Sequence, residues 1–383
     1  MITKDIFKLS NYYIASNKYY YFFDGMFKIK NLSKLETLDG LNIPSSTYRT
    51  NRKSSTLKND NHKTLLKYFE VNDNLRKIHE YENVMSELFS FLYYKHSETE
   101  VLESRKWIDK FINDENYLKP IFILFRILTN IIMHKEINKI LEVISIDIEY
   151  LSKFPAEYFV DDFGALYNIL MYFAGKSDDC IKDYTIDAKY PYLSWLYHHL
   201  RGSLNFYKKN YTEAIIYYKN AISCYLVDLN VSRILECYIN IAAMYNRIKS
   251  YKDAINILIP VIEYSLYEIK NIAIKRYSLM HYLISLMMVE DYEKIINVIS
   301  RLKEEDDLVN DISAMVGIIA SKKIKLKSLN KLIINRIKNE KDVKSIYERV
   351  YKNKPLPKEM IEDNQFFYMN FIKEKIEICW YWS

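Results

Sequence analysis

The run IPSSTYRTNRKSSTLK, residues 43–58, sets hydroxyls and cations at close intervals: Ser45, Ser46, Arg49, Thr50, Arg52, Lys53 and Lys58. Such groups donate hydrogen bonds to polar and anionic ligands. A guanidinium matches the acceptor edge of guanine bidentately, and lysines and arginines hold phosphates, which fixes register but not sequence. A polyanion, with nucleic acid first, is therefore the ligand this run fits. Ser45, Ser46, Arg49, Thr50 and Lys53 are expected on the open face of a helix whose inner face carries Tyr48.

The charge distribution points the same way. The chain has a net charge of +6, and residues 1–70 hold twelve Lys+Arg against six Asp+Glu. The remaining residues balance at 43 of each. A basic segment on a neutral body fits a polyanion partner. A solvated lysine surface fits the same numbers.

Other chemistries find little support. His198 and His199 are adjacent, so both cannot face one metal from one side of a helix, and no HExxH or CxxC spacing occurs. Asp178-Asp179 and Glu304-Glu305-Asp306-Asp307 read as solvated turns, and six glycines leave little room for a phosphate-binding loop. No catalytic residue, metal site or cofactor is expected. Cys180, Cys224, Cys237 and Cys379 lie in apolar helical sequence and read as reduced thiols of a cytoplasmic protein. The start MITKDIFKLS has an early acid and no apolar core, so it is not read as a signal peptide, and no apolar run is long enough for a membrane span.

The elements that must position these residues are helical. Few Gly and Pro over 383 residues, and no strand-like alternation, predict an all-α fold. Residues 1–24 read as one aromatic-rich helix ended by Asp24-Gly25. A helix follows over 32–41 with Leu32, Leu35 and Leu38 on one face. Asn42 makes the turn, Ile43 packs inward, and Pro44 with Ser45 and Ser46 starts the next helix. Leu65, Leu66 and Phe69 provide a further packing helix. This pattern resembles the helix-turn-helix of small phage-repressor-like DNA-binding domains, whose second helix enters the major groove. The resemblance implies that Arg49 is the base reader and that Arg52, Lys53 and Lys58 are phosphate contacts. It departs from that family at Asn42, where Gly is usual, and at Leu38, where a small residue is usual. The expected boundary gives a helix-turn-helix domain over 1–72. An ordinary helical hairpin with a polar loop is the plainer alternative.

Residues 73–383 read as a second domain of paired helices. LRGSLNFYKKNYTEAIIYYKNAI (200–222) carries Gly202, Tyr211, Ala214, Tyr218 and Ala221. INIAAMYNRIKSYKDAINILIPVI (239–262) carries Ala242, Tyr245, Tyr251, Ala254, Leu258 and Val261, and a third copy has Tyr292 and Ile295. Ala214, Ala254 and Ile295 recur at nearly equal intervals. Small residues let paired helices approach, and the tyrosines fill the gap by the turn. Pro155, Pro191 and Pro260 are placed near pair ends. This resembles the tetratricopeptide repeat, in a longer form, and implies an α-solenoid capped by the amphipathic segment 358–382. An unrelated helical bundle is the alternative.

A helix-turn-helix followed by such repeats resembles the RRNPP family of peptide-pheromone receptors of Firmicutes and the related arbitrium receptors of temperate phages. The resemblance implies a cytoplasmic homodimeric transcription regulator whose repeats bind a short signalling peptide that changes DNA affinity. Asn side chains on the first helices of the pairs then suit an extended peptide backbone, since each both donates and accepts. Asn130, Asn168, Asn205 and Asn240 fall on such helices, and His199, Asn246 and Arg247 join them by helical position. The alternative from another class is a repeat scaffold for a protein partner, with the segment 1–70 as a docking bundle and no DNA binding.

Overall fold

A computed structural model describes residues 7–9, 12, 17–53, 60–72, 78–94, 98–113, 116–133, 137–176, 186–187, 189–267, 272–301, 311–326, 328–329, 331–352 and 354–355. The fold is all-α: 18 α-helices and one short 3₁₀ turn, with no strand among the described residues. Among them no helix is long and apolar enough to cross a membrane. Lys58, Cys180, Asp178-Asp179, the acidic run 304–307 and the expected cap 358–382 lie outside the described residues.

The chain divides into two compact units, Met1–Lys208 with Asn220–Arg233, and Lys209–Lys219 with Ile234–Ser383. The first begins with α1 (Asn17–Ile29), α2 (Lys34–Gly40), α3 (Ser45–Lys53) and α4 (Asp60–Tyr68). It continues with α5 (Ile78–Tyr94), α6 (Glu98–Ile112), α7 (Lys119–Met133), α8 (Ile137–Ser152), the 3₁₀ turn Ala156–Tyr158, α9 (Asp161–Phe173) and α10 (Pro191–Tyr207). Residues 17–72 and the helices that follow share one aromatic core. Tyr19 stacks on Tyr117 at 3.9 Å, and Phe22 meets Phe154 and Tyr158 at 5.8 and 6.1 Å. Tyr158 Oη donates to the Tyr117 carbonyl at 2.6 Å, so the buried phenol is paired.

The first helix differs from the sequence expectation. α1 runs through Asp24-Gly25 to Ile29. Gly25 does not end it; it makes room for Phe154. A Cβ there would lie 2.2 Å from Phe154 Cδ1. Nor does Leu35 share the inner face with Leu38: Leu38 is buried, whereas Leu35 is 59% exposed, and Leu38 alone of the seven residues of α2 is buried.

From α10 on the helices keep a regular step. α10, α11 (Tyr211–Val227), α12 (Val231–Arg247), α13 (Tyr251–Tyr267) and α14 (Ile272–Met288) are equal in length. The first four begin at the evenly spaced positions Pro191, Tyr211, Val231 and Tyr251. α15 (Tyr292–Ser300), α16 (Asp311–Lys323), α17 (Lys331–Asn339) and α18 (Lys341–Lys352) complete the chain's described helices. The small positions are closed contacts: Ala214, Ala221, Ala242 and Ala254 are fully buried. In the second unit Ala242, Ala254, Leu258, Leu283, Met287, Ile295 and Ile319 belong to one apolar core. Pro260 is not near a pair end. It lies inside α13, where it forgoes one helical hydrogen bond.

One device ends many of these helices. A residue in the left-handed conformation follows the last turn, and the next N–H bonds back to a carbonyl of that turn. This occurs at Asn42 (φ 56°), Leu229 (52°), Lys249 (61°) and Glu290 (64°). The returning bonds are Ile43 N to Leu38 O, Asn230 N to Tyr225 O, Ser250 N to Tyr245 O and Asp291 N to Leu286 O, at 2.8–3.0 Å. The paired bonds offset the cost of placing a side chain at positive φ, so the chain needs few glycines.

Candidate nucleic-acid interface

α2 starts at Ser33, whose Oγ accepts from Glu36 N at 3.5 Å while Thr37 Oγ1 donates to Ser33 O at 2.8 Å. It ends at Asn42, and Ile43, buried, closes the turn. The Pro44 carbonyl then accepts from Tyr48 N at 3.0 Å, the first bond of α3. Tyr48 is wholly buried and anchors α3 to α1: its hydroxyl lies 2.8 Å from Tyr20 O and 3.0 Å from Asp24 Oδ1. Burial, reinforced by the Asp24 carboxylate, drives the phenol's pKa far up, so it stays a neutral donor. Asn51 Nδ2 adds a bond to Tyr20 Oη at 2.9 Å.

The opposite face of α3 is open. Ser46, Arg49, Thr50 and Lys53 are exposed and fall at i, i+3, i+4 and i+7, one stripe of the helix. Ser45, expected on the open face, is half-buried at the start of the helix. Thr50 Oγ1 bonds its own helix at Ser46 O, 3.0 Å. Among the described residues Arg49 and Lys53 have no side-chain partner. Arg52, expected as a phosphate contact, has its Nε 3.1 Å from Asp24 Oδ2 and its guanidinium 4.9 Å from the Tyr21 ring centroid. Asp24 also pairs with Lys34. The signal for this in the sequence is Asp24 itself, an acid that resembles part of a helix end.

The residues expected in a peptide site separate by burial. In the first unit Asn130 is buried and accepts from Arg105. Asn168 is half-buried with no partner among the described residues. His199 Nδ1 is 3.4 Å from Tyr225 Oη, and Asn205 Nδ2 donates to Arg201 O at 3.0 Å. In the second unit Asn240 is half-buried and Arg247 is exposed, 5.9 Å from the Tyr211 ring centroid. Asn246 is fully buried; it donates to His281 O at 3.2 Å and accepts from Ser285 Oγ at 2.7 Å. Asn130 and Asn246 therefore satisfy internal polar groups and are closed to a ligand. Sequence reasoning also misses Arg201, on the Tyr197–Arg201–Asn205 stripe of α10, which stacks 4.8 Å from Tyr172 of α9. Its i, i+4 spacing is the available signal.

The chain matches no protein-family model, no curated protein and no solved structure.

Proposed function

We propose that this chain is a DNA-binding regulator, in which α3 reads the major groove and the helical pairs bind a short peptide that alters DNA affinity. The observation that supports it is the stripe Ser46–Arg49–Thr50–Lys53, held outward by Tyr48 on the far side of the same helix. Arg49 is the base contact and Lys53 the phosphate contact, with Ser46 and Thr50 reaching base edges or phosphates. The +6 charge concentrated in residues 1–70 favours the same partner independently. Within the first unit the half-buried Asn168, with His199, Arg201 and Asn205, is assigned to the peptide; within the second, taken by itself, Asn240 and Arg247 are the candidates. In a homodimer, two copies of α3 address two half-sites, and the peptide shifts the balance between dimer arrangements that bind DNA unequally. The setting is the cytoplasm, where DNA and reduced thiols coexist.

A duplex titration of the full chain at two salt concentrations tests this reading. Affinity that falls steeply with salt supports it, because counterions are released from phosphates. A second reading, a scaffold for a protein partner, is favoured by one observation: α1 and α4 are built into the same aromatic core as Tyr117 and the 3₁₀ turn, as expected of a docking bundle. No duplex binding at low salt, together with recovery of one defined protein partner, supports that second reading.

A further inference from the structure

Asp24 lies where α1, α2 and α3 meet, with its side chain 11% exposed. Three groups converge on its carboxylate. The Lys34 ammonium and the Tyr48 hydroxyl reach Oδ1, and Arg52 Nε reaches Oδ2 at 3.1 Å. Each cation is also held by a ring: Lys34 Nζ is 4.0 Å from the Tyr48 centroid and the Arg52 guanidinium 4.9 Å from that of Tyr21. Arg49 and Lys53, on the same helix as Arg52, have no such acid among the described residues.

We infer that Asp24 is a positioning residue that withholds Lys34 and Arg52 from a polyanion, so that α3 offers Arg49 and Lys53 as its charged contacts. The inference rests on the DNA-binding reading. Phosphate attraction is independent of sequence, and every added phosphate contact strengthens binding to all duplexes alike. A carboxylate sharing hydrogen bonds with both cations, partly out of water, competes well with an exposed phosphate. Selectivity at Arg49 is thereby kept from being swamped. The same carboxylate accepts from Tyr48 and so helps set the direction in which α3 faces.

Asp24→Asn separates charge from shape, since the amide keeps the size and an acceptor oxygen for Tyr48. Asp39→Asn, at an exposed acid of α2, changes net charge equally and is the control. Two readouts are taken on the full chain. In duplex titrations over a salt range, Asp24→Asn is expected to bind non-specific DNA more tightly, with log K against log salt steeper by about 0.9 for each cation released. Asp39→Asn keeps the wild-type slope, and Asp24→Glu returns towards it. In a DNA-free measurement, mass spectrometry follows arginine modification by phenylglyoxal and lysine acetylation. Arg52 and Lys34 are expected to react several-fold more slowly than Arg49 and Lys53 in the wild type, and to catch up in Asp24→Asn.

A wild-type slope in Asp24→Asn, or labelling indifferent to Asp24, overturns the inference. Absence of any duplex binding by the wild type defeats the DNA reading instead. Labelling then still decides whether Asp24 holds the two cations.

Discussion

The hydroxyl of Tyr48 lies 2.8 Å from the carbonyl oxygen of Tyr20, which ties the helix carrying Arg49 to the aromatic core of the first unit. Everything proposed for the open face of α3 depends on that anchor, because it decides which side of a short helix meets solvent. Tyr48→Phe keeps the ring and removes the bonds to Tyr20 and Asp24. A loss of about 1–3 kcal/mol is expected, since a buried acceptor and a carboxylate each lose a donor. Urea unfolding of the two proteins measures it. Equal midpoints would show that the hydroxyl is not what holds the helix.

Gly25 is expected to refuse even a methyl group. Alanine is the better helix former by about 1 kcal/mol, yet its Cβ would meet the Phe154 ring. That ring cannot swing away, being packed by Phe22, Tyr150 and Tyr158 with centroids 5.3–5.8 Å distant. Overpacking of this kind costs about 1–3 kcal/mol. Gly25→Ala therefore lowers the thermal midpoint; a rise would mean that propensity outweighs the clash.

Two asparagines of the second unit that look alike in sequence should behave differently. Asn246→Ala removes a fully buried side chain and its bonds to His281 O and Ser285 Oγ, which keep only their bond to each other, and should cost about 1–3 kcal/mol. Asn240→Ala, at a half-buried site with no partner among the described residues, should stay within about 0.5 kcal/mol. Parallel denaturant titrations compare them. Similar losses would contradict the division between an asparagine bonded in the core and one that is half-buried without a partner among the described residues.

His281 gives the second unit a pH dependence of known sign. Burial, reinforced by the positive charge of Arg247, pushes its pKa down from 6.5 to about 4. The unfolded chain therefore binds the proton more readily. Stability is full above about pH 6.5 and falls as pH drops towards 4. Between pH 7 and 5 this one group accounts for about 2 kcal/mol of loss. Wild type minus His281→Gln, measured in urea at both pH values, isolates it from other titrating groups. A difference that does not change with pH would remove His281 as the cause.

Much of the helical framework was legible because it rests on local chemistry. Asn42, Ile43 and Tyr48 behave as the turn, inner and core residues their types imply, and the alanines that the sequence marks as small contact positions are buried. What escaped the sequence depended on partners far along the chain. Gly25 looked like a helix end because Phe154, its reason for being glycine, is remote in sequence. The charge of Arg52 is visible in the sequence, but its pairing with Asp24 of another helix is not. Asn246 looked like Asn240 because nothing local distinguishes an amide facing Ser285 from one facing solvent. Leu35 followed the helical period, but only Leu38 of α2 is buried.

The measurement that bears most directly on the central claim is the duplex affinity of wild type and Arg49→Ala against a set of DNA sequences at fixed salt. Arg49→Ala is expected to lose about 1–3 kcal/mol on the preferred sequence and little on the others, so that selectivity flattens while folding is unchanged. If the variant binds every sequence as the wild type does, or if the wild type shows no preference to lose, α3 does not read DNA and the proposed function is wrong.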